Sequence, residues 1–141
     1  MHKPRRGISV IIPALNEQDA IGRVIRDIPK DVADEIIVVD NGSMDNTAMV
    51  AEKAGARVVR EPHRGYGAAC LKGIASVQEP DIIVFLDGDY SDYPEEMARI
   101  VAPIARRARQ TLSSARGSQA LTERQFFRHR HTGETSWQRG L

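Results

Sequence analysis

The sequence predicts an α/β domain with a mainly parallel sheet, and three observations carry that prediction. Strand-like and helix-like segments alternate through residues 7–105, the loops between them are short, and strand-length apolar runs stop abruptly at polar turns. Alternating strands and helices joined by short loops favour a parallel sheet with helices on both faces. Because the apolar run 82–86 is continuous, we expect it to be a strand that is buried on both faces.

Each predicted element follows from its spacing and its end signals. Short β-rich apolar runs predict the strands, at residues 8–12, 35–39, 57–60 and 81–86. Apolar residues at helical spacing predict the helices, at residues 17–28, 47–54, from the glycine-rich loop to about 77, and 93–104. Pro13 is expected to end the first strand. Asn16 and Asn46 are the expected N-caps, and Pro29 and Gly55 the expected stops, of the first two helices.

Length and composition exclude several classes of protein. With 141 residues and a net charge of +1, the chain has the size of one domain and lacks the bulk charge of a nucleic-acid binder. No apolar run approaches the roughly 18 residues that span a bilayer, and the basic start lacks the apolar stretch of a signal peptide. The single cysteine, Cys70, excludes an internal disulfide framework, and its helical context predicts a small core residue.

The chain changes character near residue 105. Residues 1–105 contain 12 Lys and Arg and 17 Asp and Glu, whereas residues 106–141 contain 8 Arg, no Lys and 2 Glu. The last 36 residues also lack Ile, Val and Met, and we find neither a strand nor a helix period in them. We therefore assign residues 106–141 to a separate basic tail. Disorder, a nucleic-acid-binding arm and a frameshifted or misjoined reading are the alternatives for it.

Polar and acidic side chains follow three of the predicted strands. Residues 13–17 follow the first strand, residues 40–45 the second, and Asp87-Gly88-Asp89 the fourth. The carboxyl ends of parallel strands share one edge of the sheet, where α/β proteins bind ligands, so these segments should converge. Carboxylates bind hard divalent cations, which also bind diphosphates, and the two aspartates therefore predict a Mg²⁺ or Mn²⁺ site. The alternative interpretation of the segment is a simple turn or helix cap.

A glycine-rich loop, residues 64–67, follows the third strand at the same predicted edge. Its backbone can approach a ligand closely, and the amides of the next helix point towards that edge. Arg64 and Lys72 supply positive charge for phosphate, although the loop is equally compatible with an ordinary helix start. The sequence contains no P-loop, no dinucleotide-binding GxGxxG after the first strand and no nucleophile elbow.

Family 2 glycosyltransferases of the GT-A fold resemble this chain in four motifs that occur in the same order. The motifs are Ile-Pro-Ala-Leu-Asn-Glu, Val-Val-Asp-Asn-Gly-Ser-x-Asp-x-Thr, Arg-Gly-Tyr-Gly-Ala-Ala and Leu-Asp-Gly-Asp-Tyr-Ser-Asp-Tyr-Pro-Glu-Glu. The resemblance covers residues 7–105 and is closest to the dolichyl-phosphate-mannose-synthase-like branch. It implies a nucleotide-diphosphate-sugar donor, a divalent metal (Mg²⁺ or Mn²⁺), inversion at the anomeric carbon, and a polyprenyl phosphate or saccharide acceptor. It also implies a cytoplasmic protein that can associate peripherally with the inner face of the membrane.

The same resemblance implies roles for the residues that match the motifs. The residues implied to bind the nucleotide sugar are Pro13, Ala14, Asn16, Glu17, Asp40, Asn41, Gly42, Ser43, Arg64, Gly65, Gly67, Asp87 and Gly88. The residues implied to hold the metal are Asp87 and Asp89. The family often has a second aspartate after the first one, where this chain has Asn41, an amide that can both donate and accept hydrogen bonds. Such enzymes need a base to deprotonate the acceptor, and we identify no residue for that role.

Two further interpretations compete with an active glycosyltransferase. One is a catalytically inactive nucleotide-sugar-binding fragment that lacks the acceptor half. The other is a nucleotidyltransferase, which would place its glycine-rich basic motif after the first strand, where this chain has Pro-Ala-Leu-Asn-Glu. No nucleic-acid partner is expected. Four strands also make an unfinished sheet, which predicts an exposed edge and uncovered apolar surface.

Overall fold

A computed structural model describes residues 7–78, 80 and 82–114, without the side chains of residue 105 and residues 108–114. The strands are β1 (Ile8–Ala14), β2 (Glu35–Asp40), β3 (Arg57–Arg60) and β4 (Ile82–Phe85). The helices are α1 (Ile21–Asp27), α2 (Thr47–Lys53), α3 (Tyr66–Ser76) and α4 (Met97–Ser114), the last preceded by a 3₁₀ turn, Pro94–Glu96. All strand pairs are parallel, in the order β3-β2-β1-β4. The predicted α/β class is confirmed.

The sheet has helices on both faces, as predicted. Val10 and Ile12 of β1 face the larger core, to which α1, α2 and α4 contribute buried side chains. Ile11, on the opposite face, packs in a smaller core with Ala69 of α3. A Cβ atom on Gly73 of α3 would lie only 2.4 Å from Ile11 Cγ2. Glycine therefore lets the backbone of α3 lie directly on the sheet, which fixes where the start of α3 meets the edge.

The prediction that Pro13 ends β1 is wrong, because the strand continues to Ala14. Pairing with β2 extends to the end of β1, whereas pairing with β4 stops at Ile11. Ile11 O accepts a hydrogen bond from Leu86 N, so the odd-numbered residues of β1 direct their backbone groups towards β4. The backbone nitrogen of Pro13, which has no hydrogen to donate, therefore points towards β4, where the pairing of β1 with β4 has already ended. A proline is tolerated there because no strand-pairing bond is lost.

The first helix begins later than its spacing predicts. α1 starts at Ile21 and ends at Asp27, before Pro29, and residues 18–20 form a turn. Asn16 is not its N-cap: it has a φ of 55°, and its side chain bonds to a different loop. α2 starts at the predicted residue, but Asn46 makes no side-chain cap bond.

The edge strand and the last helix also differ from expectation. β4 lies at the edge of the described sheet, and Ile83 and Phe85 on one of its faces are only partly buried. A continuous apolar run therefore did not mean burial on both faces.

α4 continues to Ser114, ten residues beyond the predicted end, so residues 106–114 are helical. Six of these nine residues are Arg, Ala, Gln or Leu, which favour helices, and the helical apolar spacing of α4 continues at Ala108 and Leu112. The expectation of no helix period in residues 106–114 is therefore wrong. Residues 115–141 lie outside the described part of the chain.

Candidate functional site

The carboxyl ends of all four strands meet at one edge of the sheet, which confirms the predicted convergence. Four connections leave that edge, and we name each after the strand that it follows. They are the β1 loop (residues 15–20), the β2 loop (41–46), the β3 loop (61–65) and the β4 loop (86–93). β1 is central, so its loop lies between the loops of β2 and β4.

Hydrogen bonds join the β1 and β2 loops directly. Asn16 N donates to Ser43 Oγ at 2.9 Å, and Asn16 Oδ1 accepts from Met44 N at 2.8 Å. Glu17 N donates to Thr47 Oγ1 at 2.8 Å. Each bond pairs a backbone amide with a side chain of the other segment, Thr47 being the first residue of α2 directly after the β2 loop. The backbone of residues 15–20 is therefore held in a non-helical course, which explains the late start of α1.

Thr47 and Asp45 form the inner part of this connection. Thr47 is fully buried, and both its N–H and its hydroxyl donate to Asp45 Oδ1. Burial works against ionisation of Asp45, but the hydrogen bonds from Thr47, together with one from Gln18 N, outweigh it and lower its pKa below the usual 3.8. The Asp45 carboxylate therefore helps to fix the conformation of the β2 loop.

Asp40 and its neighbours form the floor of the site. Ala14 is fully buried, and Asp40 is only 4% exposed. Asp40 Oδ1 accepts a hydrogen bond from Ser43 N at 2.9 Å, which turns the β2 loop back over the strand end. Ala14 O accepts from Asn41 N at 2.9 Å, which extends the pairing of β1 and β2 into the loop. Pro13, also buried, precedes this floor.

The β3 loop carries the predicted glycine-rich motif to the same edge. Gly42 and Gly65 have φ values of 92° and 135°, which favour glycine at both positions. Arg64 is exposed, and a Cβ atom on Gly42 would lie 3.9 Å from its Nε. The arginine therefore stands above the β2 loop, at the mouth of the site.

The glycine-rich motif continues into the first turn of α3. Gly67 is exposed there, and a Cβ atom on it would meet nothing within 4 Å. Lys72, the other predicted cation, lies six residues after Tyr66, the first residue of α3, which is about 9 Å along the helix. Cys70 is partly buried, not a core residue as predicted, and is hydrogen-bonded to Tyr66. Tyr66 is 41% exposed, so only part of its side chain is desolvated; that partial burial, then the nearby Cys70 and Asp87, raise its pKa above the usual 10.0.

The β4 loop folds around its own carboxylates. Asp87 N donates to Asp92 Oδ2 at 2.8 Å, and Asp92 is 4% exposed. Ser91 N donates to Asp89 Oδ1 at 3.0 Å, and Ser91 Oγ to Asp87 Oδ2 at 3.4 Å. A Cβ atom on Gly88 would lie 3.5 Å from Ala14 Cβ and from Glu17 Cγ, so the loop touches the β1 loop at this glycine.

Tyr90 anchors the β4 loop to α1. It has a φ of 65°, a conformation that non-glycine residues rarely adopt. Its hydroxyl donates a hydrogen bond to Asp27 Oδ2, and the guanidinium of Arg23 lies 4.4 Å from the centre of its ring. These two contacts offset the backbone strain and hold the residue next to Asp89 in place.

The site fits a divalent cation only together with further ligands. Asp87 and Asp89 are partly buried, and Ser91 donates a hydrogen bond to each of them. A carboxylate has about four acceptor positions on its two oxygens, so it can accept hydrogen bonds and bind a cation together. Within residues 7–78, 80 and 82–114, no group of three or more His, Cys, Asp or Glu side chains is placed to hold a metal. Two carboxylates suit a Mg²⁺ or Mn²⁺ ion that takes its remaining ligands from water and phosphate.

Sequence reasoning missed several residues of the site. Asp45 and Thr47 stand in the quoted Ser-x-Asp-x-Thr motif, and that spacing was the available signal for their bond. Asp92 is a third aspartate, three residues after Asp89, so the signal for it was the acidic character of the whole segment 87–92. Nothing in the sequence indicated that Tyr90 would take a positive φ.

Comparisons with known proteins assign the family. The sequence model described as glycosyl transferase family 2 matches residues 9–140, most of the chain. The chain belongs to glycosyl transferase family 2. It is 43% identical over 114 residues to glucosyl-3-phosphoglycerate synthase of Mycolicibacterium paratuberculosis, covering 72% of this chain and 34% of that enzyme. It is 37% identical over 97 residues to an uncharacterised glycosyltransferase of Mycobacterium tuberculosis, covering 69% and 43%.

Solved structures agree with the family assignment. The crystal structure of glucosyl-3-phosphoglycerate synthase from Mycobacterium tuberculosis with Mn²⁺, UDP and glucosyl-3-phosphoglycerate matches at a TM-score of 0.63 and 37% identity. The match covers 70% of this glycosyltransferase chain and 39% of that one. The GT-A glycosyltransferase fold is confirmed, and the chain spans less than half the length of these relatives. The dolichyl-phosphate-mannose-synthase-like branch and the domain boundary at residue 105 stay predictions. In the described part, no helix is both long and apolar enough to cross a membrane.

Proposed function

We propose that this chain binds a nucleotide-diphosphate sugar together with a divalent cation, and that it transfers the sugar with inversion. One observation carries the proposal: the β4 loop, with Asp87 and Asp89, packs at Gly88 against the β1 loop, which hydrogen bonds join to the β2 loop. This brings a carboxylate pair to the edge where the other three loops meet. The relative with the same fold and 37% identity was crystallised with Mn²⁺ and UDP, which supports the assignment.

The proposed chemistry follows from the charges at the edge. When the glycosidic bond breaks, negative charge builds up on the leaving nucleoside diphosphate. A divalent cation at Asp89 and Asp87 would neutralise that charge, which is worth several kcal/mol in the transition state. Without a cation, the two carboxylates would repel the diphosphate. We therefore expect metal and donor to bind as one unit.

The remaining predicted site residues surround the space next to the cation. In this proposal, the nucleoside lies over the β1 and β2 loops, on the floor of Ala14 and Asp40. Arg64, whose Nε would lie 3.9 Å from a Cβ atom on Gly42, would meet a phosphate or the base. The backbone at Gly65 and Gly67 leaves room for the ligand. The donor we favour is a UDP-sugar, because crystals of the M. tuberculosis relative contain UDP or UDP-glucose.

Three classes of acceptor are compatible with the proposed donor site. The family resemblance favours a polyprenyl phosphate or a saccharide, and with it peripheral association with the cytoplasmic face of a membrane. The relatives add a small phosphorylated acid, since one was crystallised with Mn²⁺, UDP-glucose and phosphoglyceric acid. All three acceptors offer a hydroxyl or phosphate oxygen as the nucleophile. A transfer assay with each of the three, using UDP-glucose and Mn²⁺, would separate turnover from donor binding alone.

Calorimetric titration of UDP, with and without Mn²⁺, tests the donor site. We expect binding to require Mn²⁺, and Asp89→Ala to weaken it about 100-fold, which corresponds to roughly 3 kcal/mol. Asp31→Ala is the matched control, because it removes an exposed carboxylate before β2, at the opposite edge of the sheet. Binding without Mn²⁺, or equal losses in the two variants, would contradict the proposal.

A further inference from the structure

Asn41 is a fully buried amide whose hydrogen bonds all run to the β3 loop. Its Nδ2 donates to Glu61 O at 2.8 Å and to His63 O at 2.9 Å, and its Oδ1 accepts from Gly65 N at 2.9 Å. Its exposure is 0%. These partners also fix which end of the side-chain amide is nitrogen and which is oxygen. In the reverse orientation, Oδ1 would face the two carbonyl oxygens and Nδ2 would face the N–H of Gly65. The family resemblance implies that Asn41 binds the nucleotide sugar, whereas these bonds commit its side-chain amide to the β3 loop.

We infer that Asn41 is a positioning residue: it holds the β3 loop against the β2 loop and so presents Arg64 to the donor. The part that concerns the donor rests on the proposed function. Residues 62–64 are exposed, so apolar burial contributes little to the course of this loop. The amide ties the loop at residues 61, 63 and 65, on both sides of Arg64.

The chemistry of the amide explains why an aspartate cannot take over this role. An ionised carboxylate only accepts hydrogen bonds, so one of its oxygens would face the carbonyls of Glu61 and His63. A protonated carboxyl group has one O–H and could restore one of the two donated bonds. Asn41→Asp should therefore release the β3 loop at high pH and recover part of its order as the pH falls.

Donor binding tests the inference through pH. We expect Asn41→Asp to bind UDP with Mn²⁺ at least about tenfold more weakly than the wild type at pH about 8, the equivalent of one charge-assisted hydrogen bond. At pH about 5.5 the ratio of the wild-type affinity to the Asn41→Asp affinity should be severalfold smaller than at pH about 8. The titratable or charged side chains beside the new carboxylate are Asp40, Glu61, His63 and Arg64. All four are present in both proteins, so the ratio isolates the carboxylate.

Arg64→Ala distinguishes positioning from a direct contact. Arg64 is exposed, so this variant is expected to fold like the wild type. If Asn41 acts through Arg64, the double variant should bind UDP no more weakly than the weaker single variant. Additive losses, or a ratio of affinities that does not change with pH, would overturn the inference.

Amide protons test the positioning without any donor. In the unliganded wild type, NMR should show slow exchange for Gly65 N–H and for both Asn41 side-chain amide protons, and Asn41→Asp should remove the protection at Gly65. Fast exchange of these protons in the wild type would overturn the inference even if UDP binds. If UDP does not bind but the protons are protected, the proposed function fails while the positioning role stands.

Discussion

The loops on the two sides of β1 are held in different ways. The β1, β2 and β3 loops bond mostly to one another, through side chains that reach from one loop to the backbone of the next. In the β4 loop, Asp87 N and Ser91 N donate to carboxylates of the same loop, and Tyr90 ties the loop to Asp27 of α1. The proposed nucleoside side is therefore held together by bonds between loops, whereas Asp87 and Asp89 of the proposed metal side accept hydrogen bonds from Ser91 of their own loop.

This difference separates stability from ligand binding. A preassembled surface loses little conformational freedom when a ligand binds, so it contributes affinity at low cost. The bonds that assemble it are also bonds of the folded state, and breaking them should lower the free energy of unfolding. Changes at Asp87, Asp89 or Ser91 should instead act mainly on metal binding, because the hydrogen bonds between these three residues lie within one loop.

The largest effect on stability is expected for Thr47→Val. Valine fills the same buried space but offers no oxygen to Glu17 N and no hydroxyl to Asp45. Leaving these groups without their partner should lower the free energy of unfolding by about 2–3 kcal/mol. Urea unfolding followed by circular dichroism measures the change. UDP affinity should fall as well, because the β1 and β2 loops would come apart.

Thr47→Ser is the matched control for that prediction. Serine keeps the hydroxyl and loses one methyl group, which should cost no more than about 1 kcal/mol. A loss for the valine variant that equals the loss for the serine variant would mean that the hydroxyl bonds contribute nothing. The β1 and β2 loops would then not be preassembled by Thr47, and the contrast with the β4 loop would fail.

A smaller effect is expected on the other side of the comparison, for Tyr90→Phe. Phenylalanine keeps the ring under Arg23 and removes the hydroxyl that donates to Asp27. We expect the free energy of unfolding to fall by about 1 kcal/mol and the affinity for Mn²⁺ with UDP to fall severalfold. Both losses are expected because the bond to Asp27 helps to hold Tyr90 in its strained backbone conformation, directly after Asp89 in the chain.

A double-mutant cycle with Asp27→Ala tests whether the bond carries that effect. If it does, the second substitution should add little to the first, both in unfolding free energy and in Mn²⁺ affinity. Additive losses would show that Tyr90 and Asp27 act separately. A loss of stability without any change in metal affinity would mean that the anchor does not reach the carboxylates.

The sequence was most informative where a regular pattern and a tertiary environment agree. Strand and helix alternation predicted the parallel sheet, and the polar ends of the strands predicted their common edge. The start of α1 could not be read from spacing, because residues 16–18 bond to residues 43–47, which lie far away in sequence. The exposure of β4 depends on its place in the strand order, which an apolar run does not encode.

The site itself was predictable by residue type and less so by role. Asp40, Asp87 and Asp89 lie at the edge where their motifs placed them. Asn41 was expected to face a ligand and faces a loop instead, because a side chain's direction depends on which neighbour offers it partners. The late end of α4 was missed because its apolar spacing continues only through Ala108 and Leu112, a weak signal among three arginines.

The smallest expected effect concerns Asp45, and pH reveals it. Its pKa is lowered in the folded chain, so the ionised form adds stability above the unfolded pKa of 3.8, and that stability is lost as the pH falls through the folded value. Asp45→Asn removes the charge and keeps an acceptor for Thr47 N. The wild type should therefore melt at a higher temperature than the variant at pH about 6, and the gap should shrink steadily below pH about 4. A gap that stays constant down to acid pH would show that ionised Asp45 does not hold the β2 loop. The assembly of that side would then depend on the neutral bonds of Asn16, Ser43 and Thr47, which do not respond to pH in this range.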